Sequence, residues 1–136
     1  MADYMNYLNH ITKEMWEDIA EQHNLYSIIV FGSIVTEDFH EESDIDFAVI
    51  GQDILTLDEK LQIELWLEKQ LNRQIDVIDL KDPNLDIFVK IQALNNGISI
   101  YTSNQDVALK LCIEETEFFY RINESFYARR RRELLS

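Results

Sequence analysis

The side chains best suited to chemistry lie between Gly32 and Asp46, in the stretch GSIVTEDFHEESDID. Gly32 and Ser33 close an apolar run, Ser27 to Phe31. Ten residues later come Asp44 and Asp46, an Asp-x-Asp that opens a second apolar run, Phe47 to Ile50. In an extended segment residues two apart point to the same face, so the two carboxylates stand side by side. Such neighbours repel and raise at least one pKa unless a cation sits between them. Oxygen-only ligands favour Mg²⁺, which keeps waters and completes its shell with substrate phosphates. A third carboxylate, Asp76, interrupts the strand-like run RQIDVIDL between Ile75 and Val77. Unpaired and buried it would be costly; a metal shared with Asp44 and Asp46 offsets that cost. Three aspartates on neighbouring strands can hold two Mg²⁺ ions, the arrangement of an in-line phosphoryl displacement. Gly32, without a Cβ, admits a ligand close to the backbone, and Ser33 offers a hydroxyl and an N–H to a phosphate oxygen. Alone, Gly-Ser reads as a strand-ending turn; its spacing to the aspartates is what favours phosphate.

These residues need strands to align them and helices to cover the strands. Leu8, Ile11, Met15, Ile19 and Ala20 predict an amphipathic helix over residues 6–22, with His10 and His23 near its ends facing solvent. Tyr26 to Phe31 predicts a central strand covered on both faces. The acidic segment Thr36 to Ser43 reads as a solvated loop, with Ser43 placed to orient Asp44. Leu57, Leu61, Leu65 and Leu71 mark one face of a helix ending near Asn72, and Trp66 reads as packing. Gln74 to Leu80 is the next strand. Asp79, three residues beyond Asp76, should face the opposite side as a strand-end residue.

Asp82 and Pro83 suit a helix start, and Asn95-Asn96-Gly97 a stop. Ile98 to Tyr101 predicts a fourth strand. A last helix, capped by Ser103 or Asn104, runs to about Leu134 with Val107, Leu111, Phe118, Ile122 and Phe126 at helical spacing. Phe118, Phe119, Tyr120, Phe126 and Tyr127 exceed what one helix stripe needs and suggest a docking face. Arg129 to Arg132 suits a helix C-terminus; its functional reading is contact with a nucleotide phosphate or a partner protein.

Composition narrows the class. At 136 residues the chain reads as a single domain, 1–136, with a core over about 25–101 and a helical segment over about 103–134. Apolar content of 46% and charged content of 28% are those of a globular protein. No apolar run is long enough to span a membrane, and no leader pattern opens the chain. The single cysteine, Cys112, forbids an internal disulfide, so the expected setting is reduced and cytoplasmic. Acids outnumber bases 26 to 12, which opposes direct nucleic-acid binding and favours a basic protein partner or simply solubility.

The Gly-Ser, ten residues, Asp-x-Asp order with a later strand aspartate resembles the nucleotidyltransferase superfamily related to DNA polymerase beta, over about residues 25 to 101. The short chain resembles its minimal nucleotidyltransferases, in particular antitoxins of the MntA type that pair with a HEPN-domain toxin of the HepT type. The resemblance implies an α/β (α+β) fold: a small mixed sheet of about four strands, packed with helices and followed by a long C-terminal helix. It implies transfer of AMP from ATP to a tyrosine of a HEPN RNase toxin, which would neutralise the toxin. Gly32 and Ser33 would hold the triphosphate, and Asp44, Asp46 and Asp76 would ligate two Mg²⁺ ions, Asp76 helping to remove the acceptor's proton. Where many relatives carry a small residue, a basic residue and a Gly after the Gly-Ser, this chain has Val35, Thr36 and Glu37. The competing readings are an antitoxin that acts by binding alone and a nucleotidyltransferase for a small molecule.

Overall fold

The computed structural model describes residues 7–40, 42–103, 107–124, 129 and 132. Helix α1 spans Lys13–Gln22, strand β1 Leu25–Phe31, and a 3-10 turn follows at Gly32–Val35. Strand β2 (Ile45–Gly51), helix α2 (Leu57–Leu71) and strand β3 (Ile75–Asp79) form the centre of the chain. Helix α3 (Ile87–Asn96), strand β4 (Ile98–Thr102) and helix α4 (Val107–Ile122) complete it. The sheet order is β3-β2-β1-β4. β1 runs antiparallel to both β2 and β4, whereas β2 and β3 are parallel. A parallel pair needs a crossover, and α2 supplies it.

Strand alternation divides the core in two. Ile28 and Val30 of β1, Phe47 and Val49 of β2, and Val77 of β3 face α1 and α2, meeting Trp16, Ile19, Ile63 and Leu67. Ile29, Phe31, Ala48 and Ile50 face the other way, under Ala93 and Val89 of α3 and Leu109 and Cys112 of α4. β1 is thus covered on both faces, as its nearly continuous apolar run requires. At the β3 edge, Val77 N–H donates to Glu64 Oε2 (3.0 Å), so α2 occupies one backbone donor that a foreign strand would otherwise use.

Several local expectations are corrected. The helix expected over residues 6–22 begins at Lys13, because Thr12 caps it by accepting from Met15 N (3.2 Å). The chain before it turns, keeping Leu8 and Ile11 buried. His23 is buried, since it closes α1 and left-handed Asn24 (φ 55°) directs the chain straight into β1. In α2 the leucine row is the wrong face: Leu57, Leu61 and Leu65 are exposed while Ile63 and Leu67 enter the core. The helix after β3 begins at Ile87 rather than near Pro83. Asp82 accepts from Asn84 N (2.9 Å) in a tight turn, and Asp86 is the cap, accepting from Phe88 N (2.8 Å). The continuation of α4 to about Leu134, with Asn104, Phe126, Tyr127, Arg130 and Arg131, lies outside the described residues. Arg129 and Arg132 are exposed.

Candidate active site

Asp46 of β2 stands in register with Asp76 of β3, with Ile45 opposite Ile75 and Phe47 opposite Val77 on either side. The four apolar neighbours enter the α1/α2 core. Alternation therefore sends both aspartates to the α3/α4 face. Asp44 lies just before β2 and is exposed, as is Asp76; Asp46 is half-buried. Burial, then the charge of Asp76, then that of Asp44 push the Asp46 carboxyl from 3.8 up to about 6. One carboxylate thus feels both others. Among the described residues no three His, Cys, Asp or Glu side chains converge enough to enclose a metal ion. The aspartates share a face and a field, not a closed coordination shell.

Gly32 packs directly against one of these aspartates. Its φ is +82°, and a Cβ there would collide with Asp46 Oδ2. The close approach that glycine permits is made by this chain's own carboxylate. The Gly-Ser turn and the Asp-x-Asp strand are therefore one packed unit, which explains why both motifs occur together. Ser33 is half-buried in the same turn. Its carbonyl accepts from Thr36 N (2.9 Å) and Thr36 Oγ1 (2.8 Å), and Thr36 Oγ1 in turn accepts from Asp38 N (3.1 Å). Thr36 thus folds the turn, at the cost of the positive charge expected beside a triphosphate.

Arg73 is the residue that sequence reasoning missed. One of its guanidinium nitrogens donates to His40 O (2.6 Å) and to Ser43 O (2.8 Å), and the guanidinium lies over the Phe39 ring at 4.6 Å. Phe39 stacks edge-on against Tyr7. This clamp holds the loop between Ser33 and Asp44, and hence the approach of Asp44 to β2. The signal was an arginine directly before β3, opposite an otherwise acidic loop. Ser43 Oγ serves the same loop by accepting from His40 N (3.1 Å), so its hydroxyl braces the loop backbone just before Asp44. Asp79 is buried and structural: it accepts from Leu55 N (2.8 Å) and Lys81 N (2.9 Å).

Chemically, the face offers carboxylate oxygens for divalent cations and a glycine turn beside them. Those are the requirements of phosphoryl or nucleotidyl transfer.

Residues 14–106 match the family model for "Polymerase beta, Nucleotidyltransferase". The comparison with curated proteins gave no match. Among solved structures, one of a toxin–antitoxin with AMP-PNP superposes with a TM-score of 0.73 at 21% identity, over 89% of this chain and 96% of that one. A tri-AMPylated HEPN toxin from Shewanella oneidensis in complex with MNT antitoxin gives 0.69 at 19% identity, over 98% and 99% of the two chains. An MntA–HepT toxin–antitoxin structure gives 0.68 at 19% identity, over 90% and 96%. At such identities the likeness is one of fold, and it spans nearly the whole of each chain.

Proposed function

The chain belongs to the polymerase beta nucleotidyltransferase family, and from that premise we propose that it is an antitoxin that transfers AMP from ATP to a tyrosine hydroxyl of a HEPN RNase toxin. The observation that carries the reading is the Asp46–Asp76 register pair, with Asp46 packed against Gly32 and its carboxyl raised by burial, Asp76 and Asp44. An oxygen-only donor set whose members raise one another's pKa fits Mg²⁺, because a cation removes the repulsion. When bound, two Mg²⁺ ions would neutralise the triphosphate and the charge that develops at the attacking and leaving oxygens.

The residues then divide the work. Asp44 and Asp46 hold the metal-binding edge facing the nucleotide. The Gly32–Ser33 turn presents backbone and hydroxyl to the phosphates. Asp76, exposed on the edge strand, is placed to take the proton of the incoming hydroxyl. The acceptor oxygen bonds to the α-phosphorus, the bond from that phosphorus to the bridging oxygen breaks, and pyrophosphate leaves. AMP on tyrosine adds bulk and negative charge, which repels RNA from a nearby ribonuclease site. Solved structures of the same fold contain AMP-PNP or an AMPylated HEPN toxin, which supports both the donor and the acceptor.

The test is the intact mass of a HEPN toxin, sought as the product of the neighbouring gene, after incubation with the protein, ATP and Mg²⁺. The mass should rise in whole AMP units, and not with Asp44→Asn/Asp46→Asn. An unchanged mass with a tight, inhibited complex would instead establish neutralisation by binding.

A further inference from the structure

Helix α4 leaves an apolar row exposed, its first half, Val107 and Leu111, bordering a cleft shared with Tyr26, Ile50 and Leu80. Val107 and Leu111 are each 52% exposed, Phe118 66% and Ile122 65%, while Leu109, Cys112 and Thr116 occupy the inner side. At 3.6 residues per turn the four exposed side chains fall within about 40° of one another's mean direction, along about 22 Å of helix. Singly exposed apolar residues are ordinary, whereas a continuous row marks an interaction surface. At its middle, between Leu111 and Phe118, the exposed glutamates Glu114 and Glu115 straddle the row.

We propose that this row seats a helix of the toxin, one whose apolar anchors flank a Lys or Arg placed to meet Glu114 and Glu115. The proposal rests on the antitoxin reading above. Charge decides the occupant. If two copies of this chain paired through the row, parallel or antiparallel about its midpoint, four glutamates would meet at the centre of the interface. Each chain already carries a net charge of −14, so self-pairing adds repulsion at every range. A partner helix with a basic residue at that level turns the same glutamates into attraction and sets its register.

The experiment titrates the HEPN toxin into wild type, Phe118→Ser and Glu114→Lys/Glu115→Lys by calorimetry. Leu61→Ser, on the exposed row of α2, serves as control, and thermal melts verify folding. The charge-reversed variant alters only exposed positions and so keeps the test alive if Phe118→Ser is unstable. Both α4 variants should bind at least tenfold more weakly, the control within twofold of wild type, and added salt should weaken wild type more than the charge-reversed variant. Binding within twofold of wild type by both α4 variants overturns the proposal. Sedimentation showing a wild-type dimer, weakened by Phe118→Ser, would do the same in favour of a second copy. AMP transfer read in parallel separates the two ideas. Transfer with unaltered variant binding leaves the function standing without the docking surface. Binding lost in both variants, with no transfer by wild type, leaves the surface standing without the function.

Discussion

Among the described residues, sixteen buried ones, chiefly from α1, α2 and three strands, close into a core on one face of the sheet, and six do so on the other, beneath α3 and α4. The first face spends its alternating positions on large apolar side chains such as Phe47 and Ile45. The second gives up the corresponding positions at one end to Asp46 and Asp76. Adjacent residues of one strand thus face opposite ways: Phe47 enters the core, and Asp46 joins the candidate site. The difference teaches that the core and the candidate site are separated here by the pleat of a strand, not by distance along the chain.

That separation can be broken deliberately. Asp44→Asn or Asp76→Asn should reduce AMP transfer by at least roughly a thousandfold, about 4 kcal/mol of transition-state stabilisation. Urea unfolding should meanwhile stay within about 0.5 kcal/mol of wild type. Phe47→Ala, one residue from Asp46, should do the reverse. A fully buried aromatic truncated to Ala costs about 3–5 kcal/mol, and the surviving folded fraction should keep its turnover. If Phe47→Ala abolished transfer in the folded fraction, the two faces would not be independent.

Gly32→Ala should damage both properties. A left-handed φ costs a non-glycine residue about 1–2 kcal/mol, and the new methyl must displace the Asp46 carboxylate. Loss of transfer without any drop in unfolding free energy would show that the glycine serves the ligand alone.

The smallest effect has a sign that depends on pH. Folding raises Asp46 from 3.8 to about 6, so between those values the folded chain holds a proton that the unfolded chain releases. Its contribution to stability is therefore greatest at low pH and falls as pH rises through that window. Without Mg²⁺, Asp46→Asn should stabilise the chain at pH 8 by about 1 kcal/mol, allowing for solvent screening of a half-exposed carboxylate. At pH 3 it should make no difference. Destabilisation at pH 8 would mean that Asp46 is held by a favourable partner.

Legibility in the sequence followed the same divide. Strand periodicity has only two faces, so spacing alone put Asp44 and Asp46 on one side and Asp79 opposite to Asp76, whereas the register of Asp46 with Asp76 had to come from strand pairing. Helix faces were less legible. α2 carries apolar residues on more than one side, and tertiary packing chose Ile63 and Leu67 over the more regular leucine row. In α4 the row with helical spacing is the outward one. Side chains that act on distant backbone were not legible either. Arg73 bonds carbonyls some thirty residues earlier, and the meeting of Gly32 with Asp46 follows from strand pairing that no local pattern records.

The central claim, that the carboxylate face turns over, is tested most directly by stoichiometry. The protein would be mixed with a tenfold molar excess of HEPN toxin, ATP and Mg²⁺, and the AMP groups gained per molecule of this chain counted by intact mass. The account predicts more AMP groups than molecules of this chain, with the whole toxin pool inactivated. Inhibition that saturates at one toxin per chain, with no mass gained, would contradict it.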